Sequence, residues 1–143
     1  MILLFAPALL LTDPVQDTRC RPNPLDDYRG DLYDYSKTIE RSGSGLWIGG
    51  VAFAPADIAA ATAKYLQDFD EWTIDVEFSP SGKSKFDLVQ ACRLRRGIEI
   101  SFDRKVISRP TLQEQIVGNH IQISGGLTQQ SATDLAAKFK PIP

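Results

Sequence analysis

The heptapeptide WTIDVEF, Trp72 to Phe78, sets the tightest constraint on the fold. Trp72, Ile74, Val76 and Phe78 alternate strictly with Thr73, Asp75 and Glu77. That period of two puts four large apolar side chains on one face of a strand and two carboxylates on the other. Such a strand belongs in a sheet whose one face packs on a core while the other meets water, so an all-helical fold is excluded. Ile98, Ile100 and Phe102 repeat the pattern in IEISF.

Helices flank these strands. In SPSGKSKFDLVQACRLRRG, Ser79 suits an N-cap and Pro80 the first helical position, where its missing N–H costs nothing. Phe86, Val89 and Cys92 share a face, and Gly97 reads as the C-terminal glycine. Thr128 caps a last helix whose buried face is Ala132, Leu135, Ala136 and Phe139. APADIAAATAKYL reads as a third helix, with Ile58, Ala61, Tyr65 and Leu66 inward. LWIGGVAF is a strand in which Gly49-Gly50 marks a bulge or a close backbone approach. DRKVISRP is a hairpin turning at Asp103-Arg104, where arginine stands at a position that favours glycine and should strain or shift the turn. QIVGNHIQISGG supplies another strand. The predicted order is β-α-β-α-β-β-β-α, an α+β domain over residues 46–143 with a mostly antiparallel or mixed sheet and helices on one face.

Two segments precede it. MILLFAPALLLTDP carries an apolar run too short to span a bilayer, which takes about 20 residues, but suited to the core of a secretory signal over residues 1–12. A buried first strand or helix is the alternative. Residues 13–45 read as an irregular lead-in, with a short helix where Leu32, Tyr35 and Ile39 fall on one face. Cys20 in this lead-in and Cys92 in the domain are the only cysteines. They form either a disulfide in an oxidising compartment or two unpaired thiols.

Composition excludes more than it assigns. A formal net charge of −2 does not suit a dedicated nucleic-acid binder. Residues 1–78 hold thirteen acidic against six basic side chains and residues 79–143 five against ten, so the halves attract one another. The basic run containing Arg93, Arg95 and Arg96 is either a solvated helix end or a surface for an anionic partner. His120, the single histidine, lies out of phase with Ile121 and Ile123 and faces solvent. No spacing suits a metal, no cofactor is implied, and Cys92 lacks a convincing base. Asp75 and Glu77, two apart on one strand face, are ordinary surface carboxylates rather than a glycosidase pair. Ser124-Gly125-Gly126 before Thr128 could cradle a phosphate, but without a lysine or a fuller glycine pattern it reads as punctuation that turns the chain into a helix.

Four segments carry a family resemblance over about residues 49–139. FSPSGKSKF resembles the F-T-P-E-G-A-K-K-F of SecD and SecDF, membrane components of bacterial preprotein export. IEISFDRKVISRP is similar to their LAIVLDGKVISAP, and IVGNHIQISGGLTQQSATDLAAKF to I-x-G-G-x-x-Q-I-S-G-x-F-T-x-E-E-A-x-x-L-A; GGVAFAPADIAAA fits the start of the region. The motif positions are Gly50, Phe86, Asp103, Ser108, Pro110, Ser124, Gly125 and Thr128, with structural roles. Three positions depart: Arg104 replaces the turn glycine, Ser131 a glutamate that would complete a capping box, and Arg109 a small residue. The resemblance implies the head of the first periplasmic domain, a non-enzymatic module of the periplasm or cell envelope. It would contact unfolded or extended polypeptide, with translocon or envelope proteins as further partners and membrane contact peripheral at most. The competing classes are a small-ligand protein or enzyme using a pocket beneath Gly49-Gly50, and a structural partner domain of an envelope complex. A cytoplasmic protein is the alternative location.

Overall fold

The computed structural model describes residues 18–141. The signal segment over residues 1–12 and the first residues of the lead-in lie outside this range. The elements run α1 (Pro24–Asp27), β1 (Leu46–Ile48), β2 (Val51–Phe53), β3 (Ile58–Leu66), β4 (Glu71–Phe78), α2 (Pro80–Arg93), β5 (Ile100–Phe102), β6 (Lys105–Ser108), β7 (His120–Leu127) and α3 (Gln129–Phe139). The fold is α+β, with every strand pair antiparallel. The strands make two sheets rather than one, ordered β2-β1-β5-β6 and β3-β4-β7. A single apolar cluster draws on both sheets and on α2 and α3.

WTIDVEF is the central strand of the second sheet. Ile74, Val76 and Phe78 are buried, and Phe78 stacks on Phe86 of α2 with ring centroids 5.1 Å apart. Asp75 and Glu77 lie on the other face, paired with Thr62 and Ala60 of β3 and with Gln122 and His120 of β7. Ala132, Ala136 and Phe139 bury the inner face of α3, and Leu135 is half-buried there. Phe139 meets Phe102 of the first sheet at 5.4 Å, so this helix ties the sheets together.

APADIAAATAKYL is not a helix. Pro55–Asp57 makes one 3₁₀ turn, closed by the Asp57 carboxylate on the Ala54 amide at 2.7 Å, and Ile58–Leu66 is strand β3. Alanine's helix preference is a weak prior that pairing with β4 overrides. Ala61 and Ala63 alternate with exposed Thr62 and Lys64, the period-two pattern of a half-covered edge strand. Gly49-Gly50 is not a bulge but the turn of a β1–β2 hairpin, with φ of 59° and 79°; the close approach given as the other reading holds at Gly49, where a Cβ would lie 2.8 Å from Val89 Cγ1.

Helix α2 ends at Arg93, four residues before the glycine expected to close it. Arg95 takes the positive φ instead, and its amide donates to the Leu112 carbonyl at 2.5 Å. Gly82 in the first turn is required by space, because a Cβ there would lie 1.9 Å from the Asp57 carbonyl oxygen. The β5–β6 hairpin keeps its two-residue turn without shifting: Asp103 and Arg104 adopt φ of 49° and 68°. Both signs match a type I′ turn, with arginine carrying a conformation glycine takes freely. Arg104→Gly is therefore expected to stabilise the protein by about 0.5–1 kcal/mol, read as a higher urea midpoint at constant slope.

The lead-in departs furthest from expectation. Leu32, Tyr35 and Ile39 form no helix; the short helix is α1, capped by Asn23. Asp31 and Asp34 accept from the amides of Tyr33 and Ser36 at 2.8 and 3.0 Å, local bonds that compete with a helical ladder. The segment lies against the first sheet near β5. Glu99, Ser101 and Ile100 are all buried, so this sheet is covered on both faces where a one-sided sheet was expected.

Candidate functional site

The polar chemistry of the chain concentrates where the lead-in meets α2 and the β5 region. Glu99 is 2% exposed. Its carboxylate accepts from the Ile39 amide at 3.0 Å and the Glu40 amide at 3.3 Å, and from Arg109 Nε at 2.9 Å. Glu40 accepts from the Glu99 amide at 2.8 Å, which closes a reciprocal pair of backbone-to-carboxylate bonds. Arg93 Nε lies 3.8 Å from Glu40 Oε2, and neither atom has a hydrogen-bond partner. Arg109 also donates to the carbonyls of Leu32, Asp34 and Lys37 at 2.6, 3.0 and 2.6 Å and lies over the Tyr35 ring.

Burial pushes the Glu40 carboxyl up to about 7, against the pull of Arg93. Its ordinary value is near 4.5, so folding takes up a proton between about pH 4.5 and 7. Stability from this group is therefore present in acid and falls as pH rises through that window. At about 1.4 kcal/mol per pH unit the loss reaches at most about 3 kcal/mol. Glu40→Gln, which keeps an oxygen to accept from Glu99, is expected to flatten the dependence. Urea midpoints of both proteins at pH 5 and pH 8 check this; parallel curves would refute it.

The structure joins Cys20 to Cys92 in a disulfide, with Cα atoms 5.4 Å apart. Beside it, beneath Gly49-Gly50, lies a cavity of about 290 Å³ lined by the β1–β2 hairpin, α2 and the lead-in. Arg93 faces this region and is 4% exposed, which corrects its expected place on an open anionic-partner surface. Its guanidinium donates to the Arg21 carbonyl at 2.9 Å. Arg96 lies 3.4 Å from Asp26, and only Arg95 of the three is exposed. The basic run is thus spent largely on holding the lead-in.

The motif residues occupy the turns and packing points of the fold. Gly50 completes the first hairpin turn, and Phe86 fills the core under Phe78. Asp103 accepts from the Gly45 amide at 2.7 Å. Ser108 is a buried residue of β6, and the Pro110 carbonyl receives the Ile98 amide at 2.9 Å. Ser124 is exposed on β7. Gly125 passes so close to β6 that a Cβ would sit 2.5 Å from the Ile107 carbonyl oxygen. Thr128 accepts from the Ser131 amide at 3.0 Å, and Ser131 Oγ accepts from the Thr128 amide at 2.9 Å. A serine hydroxyl thus completes the capping box that a glutamate was expected to supply.

His120 is exposed and 4.0 Å from Glu77; Asp75 meets Lys64 at 3.8 Å and Gln122 at 3.0 Å. These groups share an open sheet face, not a cleft. Among the described residues no group of three or more histidines, cysteines or carboxylates could hold a metal, and no helix is long and apolar enough to cross a membrane. Sequence reasoning missed Glu40 and Glu99. Glu99 sits between Ile98 and Ile100, and only the covering lead-in makes that position interior.

Residues 38–140 match the family described as SecDF, P1 head subdomain. The protein translocase subunit SecD of Calditerrivibrio nitroreducens is 29% identical over 114 residues, covering 74% of this chain and 22% of that protein. The SecD subunit of Acetobacter pasteurianus is 35% identical over 84 residues, 59% of this chain and 16% of its own length. A solved SecDF, described as a membrane component that enhances protein export, superimposes with a TM-score of 0.54 at 28% identity, over 62% of this chain and 42% of that one. The chain therefore spans about a fifth of the SecD subunits it matches.

Proposed function

This chain belongs to the SecDF P1 head subdomain family, and from that premise we propose that it is a non-enzymatic cell-envelope module that binds unfolded or extended polypeptide, accessory to protein export. The observation that carries the reading is the family match, which takes in nearly the whole two-sheet domain, from the end of the lead-in to the end of α3. The edge strands β2 and β3 agree with it, since an extended chain adds to a sheet edge through main-chain hydrogen bonds that do not depend on its sequence. Export agrees with the Cys20–Cys92 disulfide, a bond that persists in oxidising compartments, and with the apolar N-terminus.

Photo-crosslinking tests the proposal. A benzophenone placed at Thr62, exposed on the edge strand β3, should capture a urea-unfolded, reduced protein diluted into buffer and leave the same protein untouched when folded. Equal capture of both forms, or of neither, would overturn polypeptide binding and favour a structural partner role.

A further inference from the structure

We propose that Glu40 and Arg93 form a proton-operated clasp on the start of the lead-in. While Glu40 is neutral, Arg93 holds the Arg21 carbonyl, next to the disulfide. Once Glu40 ionises, Arg93 exchanges that carbonyl for the Glu40 carboxylate. The inference stands apart from polypeptide binding and does not need it. Two carboxyl and two guanidinium groups are buried together where the lead-in meets the domain: the side chains of Glu40, Glu99, Arg93 and Arg109 are 2%, 1%, 5% and 5% exposed. The two pairs are not alike. Arg109 Nε and Glu99 Oε2 stand 2.9 Å apart, the length of a charge-assisted bond. Arg93 Nε and Glu40 Oε2 stand 3.8 Å apart, and neither atom has a hydrogen-bond partner. In a low-dielectric setting an ionised pair gains by closing to bonding distance. The gap is therefore the arrangement of a neutral Glu40. Arg93 is bonded elsewhere, its Nη1 donating to the Arg21 carbonyl at 2.9 Å.

Glu40 faces charge from two elements of the domain. Arg93 comes from α2. Glu99, just before β5, donates its amide to Glu40 Oε1 at 2.8 Å while its own carboxylate is held by Arg109. Arg41, next in the chain, lies over the Trp47 ring at 5.5 Å. The β1–β2 turn brings Gly50, which has no titratable group, to the remaining oxygen: a Cβ there would lie 3.4 Å from Glu40 Oε2. Gly50 and Arg93 both line the cavity beside the disulfide, so the proton lost from Oε2 passes to water there. Burial holds the Glu40 carboxyl up to about 7 against the pull of Arg93, which sets the exchange between mildly acidic and mildly alkaline surroundings. An ionised Glu40 is repelled by Glu99, and drawing Arg93 in offsets that repulsion. The disulfide on one side of Arg21 and the Asn23 bond to the Gly97 carbonyl on the other keep the segment attached. The exchange thus loosens a short stretch beside the disulfide and leaves the rest of the lead-in seated.

The test follows the disulfide-bonded full chain between about pH 5.5 and 8.5 with two readouts. The first is the nuclear magnetic resonance of the Arg93 Nε–H group, assigned through bonds along its own side chain. It should move downfield with a midpoint of about 7 as the charge-assisted bond to Glu40 forms. In Glu40→Gln it should stay at its acid position. The second is the rate at which a water-soluble phosphine reduces Cys20–Cys92. Taken as parent over Glu40→Gln at each pH, which cancels the reagent's own titration, the rate should rise about tenfold from the acid to the alkaline end, as expected for the loss of one hydrogen bond to a charged group. A general loss of stability would raise that ratio too, but would leave the Arg93 resonance in place. An Arg93 resonance that does not titrate, or titrates alike in Glu40→Gln, overturns the clasp; the parent's own profile decides this even where the variant does not fold. A resonance that titrates while the reduction ratio stays flat shows that Arg93 keeps the Arg21 carbonyl as it bonds Glu40, and overturns the exchange.

Discussion

Arg109→Ala should cost about 3–5 kcal/mol of folding stability and lower the unfolding temperature by roughly 10–15 °C. The side chains of Arg109 and Glu99 are 5% and 1% exposed, with Nε and Oε2 2.9 Å apart. A buried pair contributes little compared with an apolar pair of the same shape, but removing one partner leaves a charge with neither water nor a counter-ion. Glu99 would keep its bonds from the Ile39 and Glu40 amides and lose its cation. The carbonyls of Leu32, Asp34 and Lys37 would lose their donor in the same step. Adding Glu99→Gln should recover part of the loss, because an amide tolerates burial better than an unpaired carboxylate; the two changes should couple by about 1–3 kcal/mol. Circular dichroism melts of the four proteins in the cycle measure this. A loss below about 1 kcal/mol for Arg109→Ala would mean that water reaches Glu99 and that the lead-in is not part of the cooperative unit.

That arginine also explains a departure from the family pattern. In the motif this segment resembles, a small residue stands at this position. In the fold the side chain points under residues 32–37 and gathers their carbonyls. Glu99, immediately before β5, is its counterpart. The pair is how this chain seats its own lead-in on the domain.

What the sequence made legible follows from which forces act locally. WTIDVEF, the Ser79-capped helix and the Thr128-capped helix carry periodicity and caps within one window, and each stands where it was read, save that the Ser79-capped helix ends at Arg93 before reaching Gly97. APADIAAATAKYL failed because alanine fits either a helix or the inner face of a strand, and its partner β4 decides between them. The lead-in failed for a different reason. The bonds that Glu99 and Arg109 make to it span 59 to 77 residues, so Glu99 looked like the solvent face of an alternating strand and Leu32-Tyr35-Ile39 like a helix. Arg93 shared a basic run with Arg95 and Arg96, but only distance in the fold shows that it belongs with Arg21 and Glu40 instead.

Breaking the Cys20–Cys92 bond should lower stability by about 4 kcal/mol, the loop-closure entropy of its 72-residue separation. Cys20→Ser with Cys92→Ser, or the parent in excess reductant, should melt roughly 10–15 °C lower than the oxidised parent. The loss is expected to be global rather than confined to an arm. Asn23 is 5% exposed and donates to the Gly97 carbonyl at 3.1 Å. Glu40 and Glu99 bond each other's amides further along the same segment. The residues between Cys20 and the domain are thus anchored at several points, and unfolding the domain must release them together. Hydrogen exchange separates the two cases. If the whole domain loses protection in parallel with the segment from Asn23 to Glu40, the lead-in folds with the domain. If only that segment exchanges faster and the melting temperature holds, the disulfide fastens an independent arm. In the cooperative case reduction would remove a large share of a stability that totals about 5–15 kcal/mol in ordinary domains.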